Sequence, residues 1–180
     1  MTFEGEHRRG PDTARLVMRA FEVGDAEAFF RLNSHPDVIR YTGEAPCGSV
    51  EVARAQIGAY ADWDRYGIGR WATVHKGTGE VMGFAGLKYL PEFDQVDLGY
   101  RFLPQYWGKG LATEASLACL AYGFDTLGLQ QIVAFALADN GASLRVLDKV
   151  GFSRREPILY DGEPAEYYVM EARDFGPGRV

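Results

Sequence analysis

Apolar and polar residues alternate along "ARLVMRAF", the pattern of a half-buried strand over about residues 14 to 21. In "GDAEAFFRLNSHPDV" the spacing becomes helical and predicts a helix from about Asp25 to Asn33, with Asp25 as N-cap and the residue before Pro36 pushed off helical geometry. Ser49 can cap a second helix, carrying Ala53, Ile57 and Tyr60 at helical spacing and stopping near Gly67. Strand character returns in "RWATVHKGTGEVMGFAGLKYL", two strands about a Lys76-Gly77-Thr78-Gly79 turn, and "QVDLGYRFL" adds a third that Pro104 closes. Beyond it Leu111, Ala115, Ala118 and Tyr122, flanked by Leu117, Leu120 and Phe124, predict a helix over about 108 to 126 that ends at Gly128. Then come a buried strand, "QQIVAFALA", a short helix in "DNGASLRVLDKVGF" with Gly151 as its C-cap, and two strands flanking Asp161-Gly162.

This order predicts an α+β fold of mixed αβα type: about seven strands, mostly antiparallel, with helices on both faces of the sheet. It lacks the strict alternation of a doubly wound protein. Residues 1–12 read as a loose tail, 13–174 as one domain and 175–180 as a second tail, with no repeat or linker between.

Composition narrows the function classes. A chain of 180 residues with 47% hydrophobic side chains can bury a full core. Its net charge of -6 argues against nonspecific binding to nucleic acid or to a membrane surface. Cys47 and Cys119 stand apart from each other and from His7, His35 and His75, so no metal-ligand spacing or disulfide framework is present and two free thiols are expected. The polar start and the lack of an apolar run near the roughly 18 residues of a membrane span predict a cytoplasmic chain, neither exported nor inserted.

Against the acidic background, the stretch from Leu98 to Thr113 has no carboxylate and contains Arg101 and Lys109 around "PQYWGKGLATEA". Glycines after a strand can serve only to turn the chain into a helix. A dinucleotide fingerprint fails because the sixth position counted from Gly108 is Thr113, and the P-loop pattern is absent. The third possibility is that bare backbone N–H groups at the helix start hold a phosphate or pyrophosphate.

The surroundings of the turn are more specific. A strand, then Q-x-x-G-x-G from Gln105 to Gly110, then Ala112 and a helix, are followed by a second strand and by N-x-x-S-x-x-x-L-x-K-x-G-F from Asn140 to Phe152. The combination resembles the GNAT superfamily of acetyl-coenzyme A-dependent N-acetyltransferases over about residues 13 to 174. "WGKGLATEA", "ARLVMRAF" and "HPDVIRYTG" resemble its branch of ribosomal-protein N-terminal acetyltransferases. The resemblance implies that acetyl-CoA, as acetyl donor and with no metal, binds at Gln105, Gly108, Lys109, Gly110, Leu111, Ala112 and Thr113, with its pyrophosphate on the backbone amides of 108 to 112. Its pantetheine arm would meet backbone groups of Tyr100, Arg101 and Phe102. One such amide would polarise the thioester carbonyl, a contribution of about 3 to 4 kcal/mol for one donor. Asn140 would touch the arm and Ser143 would line its sulfur end, although Asn140 also suits a helix N-cap and Ser143 suits close packing.

An amine acceptor is mostly protonated at neutral pH, with a pKa of about 7.7 to 8 at a chain terminus and about 10.4 for lysine, so the chemistry needs a base. By resemblance that base is Asp97, which can equally be an outward-facing polar residue of its strand, with Asp94 and Glu92 just upstream. Where many relatives carry a tyrosine as general acid this chain has Leu147, leaving water, Ser143 or no specific acid. Tyr41, Trp63 and Trp71 suit either an acceptor groove or the core, Asp62 and Asp64 hint at a cationic acceptor, Trp107 suits a brace for the loop, and His35 and His75 read as packing residues. The implied activity is direct transfer of acetyl to a primary amine in a ternary complex, first of all a protein N-terminus. The alternatives are a small amine of antibiotic or polyamine type, or a non-catalytic acyl-coenzyme A sensor. A homodimer is compatible with this reading.

Overall fold

A computed structural model describes residues 8–160 and 162–176. Two short strands, β1 (Arg9–Asp12) and β2 (Leu16–Arg19), open the fold. Helices α1 (Ala26–Ser34), α2 (Pro36–Ile39), α3 (Val50–Gly58) and α4 (Asp62–Tyr66) follow. The meander is β3 (Arg70–His75), β4 (Val81–Leu90) and β5 (Gln95–Phe102). After it come α5 (Leu111–Ala121), β6 (Gln131–Leu137), α6 (Gly141–Val150), β7 (Ser153–Arg154), β8 (Ile158–Tyr160) and β9 (Glu163–Glu171). The described strands form one sheet of nine, in the order β1-β2-β3-β4-β5-β6-β9-β7, with β8 also paired to β9. Every pairing is antiparallel except β5 with β6, as expected of a mixed, mostly antiparallel sheet.

Several elements depart from the sequence pattern. Arg9–Asp12 belong to the sheet, paired to β2, where the pattern reads a loose tail. Phe175, in the expected second tail, packs on Phe124 with ring centres 5.3 Å apart, while residues 177 to 180 and Asp161 of the last hairpin lie outside the described residues. Asp25 precedes α1 but does not cap it, because its carboxylate accepts from Arg19 at 2.7 and 2.9 Å and from the Glu22 amide at 2.8 Å. The helix expected from Ser49 to Gly67 is two, since Tyr60 leaves helical geometry to accept the Arg70 amide on its hydroxyl at 3.0 Å. Ser49 does cap α3, through the Val52 amide at 3.2 Å. The helix expected from 108 begins at Leu111, because Gly108 and Gly110 have φ of 71° and 75°, and a π-helical turn, Tyr122–Thr126, continues it.

The core lies largely between the sheet and α5 and α6. Leu16, Met18, Trp71, Leu87, Leu111, Leu120, Ile132 and Leu147 are buried there in one cluster. Cys119 is fully buried against the Met18 sulfur at 3.8 Å, and burial pushes its thiol up to about 12. Among the described residues no helix is long and apolar enough to cross a membrane.

Candidate active site

The parallel seam in the middle of the sheet creates the site. β5 and β6 share a single registered pair, Asp97 with Val133, and beyond it the two strands bound a cleft of about 1460 Å³. Leu98 to Phe102 line one side, Ala134 to Leu137 the other, and the start of α5 and the first turns of α6 close one end. Leu103 N–H donates to the Met82 carbonyl at 2.9 Å. In the unbroken β4–β5 register, Arg101 and Gly99 therefore also turn their amides toward β4, while the amides of Tyr100 and Phe102 turn toward the opening. Of the three residues expected to offer backbone groups, Arg101 thus has its amide committed to the ladder. Its guanidinium is committed as well, donating to Asn33 Oδ1 and, at 2.9 Å, to Glu44.

At the start of α5 no side chain caps Gly110, so the amides of the first helical turn have no partner within the helix. A Cβ at Gly108 would meet no protein atom within 4 Å, which leaves room for a ligand against the bare backbone. Gly108, Gly110, Leu111, Ala112 and Thr113 all line the cleft, whereas Gln105 and Lys109 do not. Lys109 instead lies 5.7 Å from the centre of the Tyr106 ring. The Trp107 indole donates to the Phe102 carbonyl at 2.7 Å, bracing the turn against the end of β5.

A latch from the β1–β2 turn holds the cradle. Arg15 donates to the Lys109 carbonyl at 2.9 Å and to Glu114 Oε2 at 2.6 Å, while the Thr13 hydroxyl donates to Glu114 Oε1 at 2.6 Å. Burial raises the Glu114 carboxyl, but the Thr13 and Arg15 bonds outweigh it and hold it below the usual carboxylate range. With the folded pKa depressed, the latch contributes above the unfolded value of 4.5 and is lost as pH falls through the folded one. Arg15→Ala is expected to raise the Kd for acetyl-CoA about three- to tenfold with little change in melting temperature, since the ion pair is partly solvated; isothermal calorimetry checks this.

On the other side of the sheet the cleft has a charged floor. Arg70 donates to the Asp97 carboxylate, to the Asp97 carbonyl at 3.0 Å and to the Gly86 carbonyl. Gly99 makes room for it, because a Cβ there would sit 2.5 Å from Arg70 Nη2. Asp97 is 7% exposed, and burial raises its carboxyl above the ordinary carboxylate range, with Arg70 and Lys88 opposing the shift. Asp97 is therefore not the outward-facing residue that strand alternation allowed. Asp94 lies in the exposed β4–β5 turn and accepts from the Tyr89 hydroxyl at 2.6 Å.

Asn140 is the N-cap of α6. Its Oδ1 accepts the Ser143 amide at 3.2 Å, which leaves the side-chain NH₂ to reach a ligand. The Tyr100 hydroxyl donates to the Ser143 carbonyl at 3.3 Å, and burial pushes its pKa up to about 12. Ser143 and Leu147 line the same wall.

These features join a bare-amide helix start to a buried carboxylate through one gap in the sheet. A family model described as Acetyltransferase (GNAT) domain matches residues 15–153. This chain belongs to the GNAT acetyltransferases. It is similar to "Uncharacterized N-acetyltransferase YoaA" of Bacillus subtilis, 33% identical over 91% of this chain and 97% of the relative. It is also similar to Spermidine N(1)-acetyltransferase of Escherichia coli, 26% identical over 84% of this chain and 80% of the relative. The crystal structure of a GNAT-family acetyltransferase from Bacillus anthracis superposes with a TM-score of 0.76 at 29% identity, covering 90% of this chain and 98% of that one.

As a GNAT acetyltransferase the protein takes its acetyl group from acetyl-CoA. The bare cradle and the unladdered amides of Tyr100 and Phe102 suit the diphosphate and the paired amides of that carrier. Trp71 is fully buried against Trp63 and Tyr122, so it belongs to the core, while Tyr41 and Trp63 line the cleft. Asp62 and Asp64 do not line it and face Lys88 and Arg8 instead. His35 accepts the Asp37 amide at the start of α2, and His75 packs on Tyr106. Arg15, Arg70 and Glu114 carry no signal in the sequence, since each acts through a partner far along the chain.

Proposed function

We propose that the GNAT acetyltransferase described here moves acetyl to a primary amine, in first place the N-terminal amine of a peptide, by direct attack in a ternary complex. The observation that carries this reading is the continuous cleft, which opens the cradle at Gly108–Thr113 onto the Asp97 floor through the gap between β5 and β6. Backbone amides of the cradle hold the pyrophosphate, and those of Tyr100 and Phe102 meet the pantetheine arm, with the Asn140 side-chain NH₂ as a further donor and Ser143 beside the sulfur. Asp97 accepts the proton of the ammonium, and burial, which raises its pKa, makes it a stronger base than an exposed carboxylate. As the new C–N bond forms and the C–S bond breaks, the nitrogen sheds its second proton to water. Leu147 offers no proton, so the departing thiolate, with a pKa of about 8.5 for an ordinary thiol, takes one from solvent.

A peptide acceptor is supported by the segment Thr42 to Gly48. It lines the cleft without regular secondary structure; the Thr42, Glu44 and Cys47 amides are bonded within the protein, and those of Gly43, Ala45 and Gly48 are left to meet an extended chain. The likeness of the turn to the ribosomal-protein N-terminal branch points the same way. A small amine is the second reading, favoured by the spermidine-acetylating relative. Free-thiol release, with mass detection of acetyl adducts, separates the two across a panel of N-terminal peptides and small amines. Turnover of peptides is expected, whereas bound acetyl-CoA with no turnover of any amine overturns the reading.

A further inference from the structure

The acceptor half of the cleft has an aromatic wall. Phe135 of β6 stacks on Tyr160 of β8 at 4.9 Å and 14° and on Tyr167 of β9 at 5.3 Å and 11°, with Phe93 5.5 Å from Phe135. Phe135 and Tyr160 line the cleft. Because Asp97 registers with Val133, Phe135 two residues on projects from the same face as Asp97, about 7 Å further along the strand. The base and the wall are therefore one side-chain step apart.

The charges between the base and the wall are largely paired within the protein. Glu44 is held by Arg101 and Asp97 by Arg70, so two of the carboxylates lining this half of the cleft already have guanidinium partners. Arg70, Arg101 and Lys88, which also line the cleft, are paired in turn with Asp97, Glu44 and Asp62, and beside the wall itself lies Glu163, registered with Tyr160. An apolar group attached close to the amine needs no charge partner and buries surface against Phe135 and Tyr160.

We propose that the acceptor carries an aromatic or large apolar group next to its primary amine, read by Phe135 and Tyr160, so that peptides beginning with Phe, Tyr, Trp or Leu are the preferred substrates. This deepens the reading of the cleft as an amine-acceptor site and rests on it. The test compares kcat/KM of the full chain, at saturating acetyl-CoA, for peptides differing only in the first residue, with phenylethylamine and spermidine alongside. Phe- over Ala-initiated peptides by about tenfold or more is expected, chiefly in KM. Tyr160→Ala, on a short strand at the sheet margin, should cut that ratio to about threefold or less, as should the more conservative Phe135→Leu, and calorimetry with acetyl-CoA verifies that each variant is folded.

Equal kcat/KM for Phe- and Ala-initiated peptides, an unchanged ratio in a folded Tyr160→Ala variant, or spermidine as the best acceptor would overturn the proposal while leaving the amine-acetylating function in place. Phenylethylamine matching the Phe-initiated peptide would support aromatic recognition and move the acceptor from peptide to small amine. No turnover of any amine by enzyme with acetyl-CoA bound removes the acceptor site itself and this inference with it.

Discussion

Asp97→Asn is expected to lower kcat by about 10²- to 10⁴-fold, the usual contribution of a positioned general base. Asparagine keeps the shape of the side chain and its place over the β5–β6 seam, but cannot take the ammonium proton. In the wild type, kcat should fall as pH drops through the Asp97 pKa. Burial sets that pKa above the ordinary carboxylate range, and Arg70 restrains the rise. Arg70→Met should therefore move the acid limb to higher pH, because it leaves the desolvation cost unopposed, and it should also destabilise the fold by about 3 to 5 kcal/mol as the buried carboxylate loses its partner. In Asp97→Asn the limb attributed to this group should vanish. A pH–rate profile that keeps the same acid limb in a folded Asn variant removes Asp97 from the mechanism. Denaturant melts of both variants separate lost chemistry from lost structure.

Gly110→Val should weaken acetyl-CoA binding by about 10- to 100-fold, or ~1.4 kcal/mol for each tenfold. Two effects combine. At φ of 75° a β-branched residue is strained by roughly 1 to 3 kcal/mol, which the turn relieves by moving, and the added side chain then crowds the first amides of α5. The nearest protein atom to a Cβ at Gly110 is Arg15 Nη2 at 3.6 Å, so Gly110→Ala, which fits sterically, reports the backbone effect alone and should cost less affinity. Calorimetric titration with acetyl-CoA distinguishes them. An unchanged Kd for the valine variant would place the diphosphate elsewhere.

Both predictions act on groups that the sequence made visible to different degrees. The glycine turn was legible because its geometry is a property of contiguous residues: Gly108 and Gly110 adopt positive φ, and the helix they begin exposes its amides whatever the rest of the chain does. Asn140 was legible as a cap for the same reason, its Oδ1 reaching an amide three residues on. Asp97 could be named from resemblance, but strand alternation alone left open whether it faced water. β1 was missed because its side chains show no alternation, and the contact nearest the core is made by Gly10 beneath the Trp71 ring, where there is no side chain to be read.

By itself, then, the amino-acid order determined most of the periodic elements, the caps at Ser49, Asn140 and Gly151, and the bare-amide start of α5, since each depends on neighbours within a turn or a strand. The tertiary structure alone decided the rest: Arg70 reaching Asp97 across 27 positions, Arg15 latched to Glu114 across 99, and an aromatic wall drawn from β6, β8, β9 and a turn. Such contacts follow from register and crossover. Register places side chains on a face only once strands have paired, and the parallel seam between β5 and β6 exists only after α5 has carried the chain across the sheet.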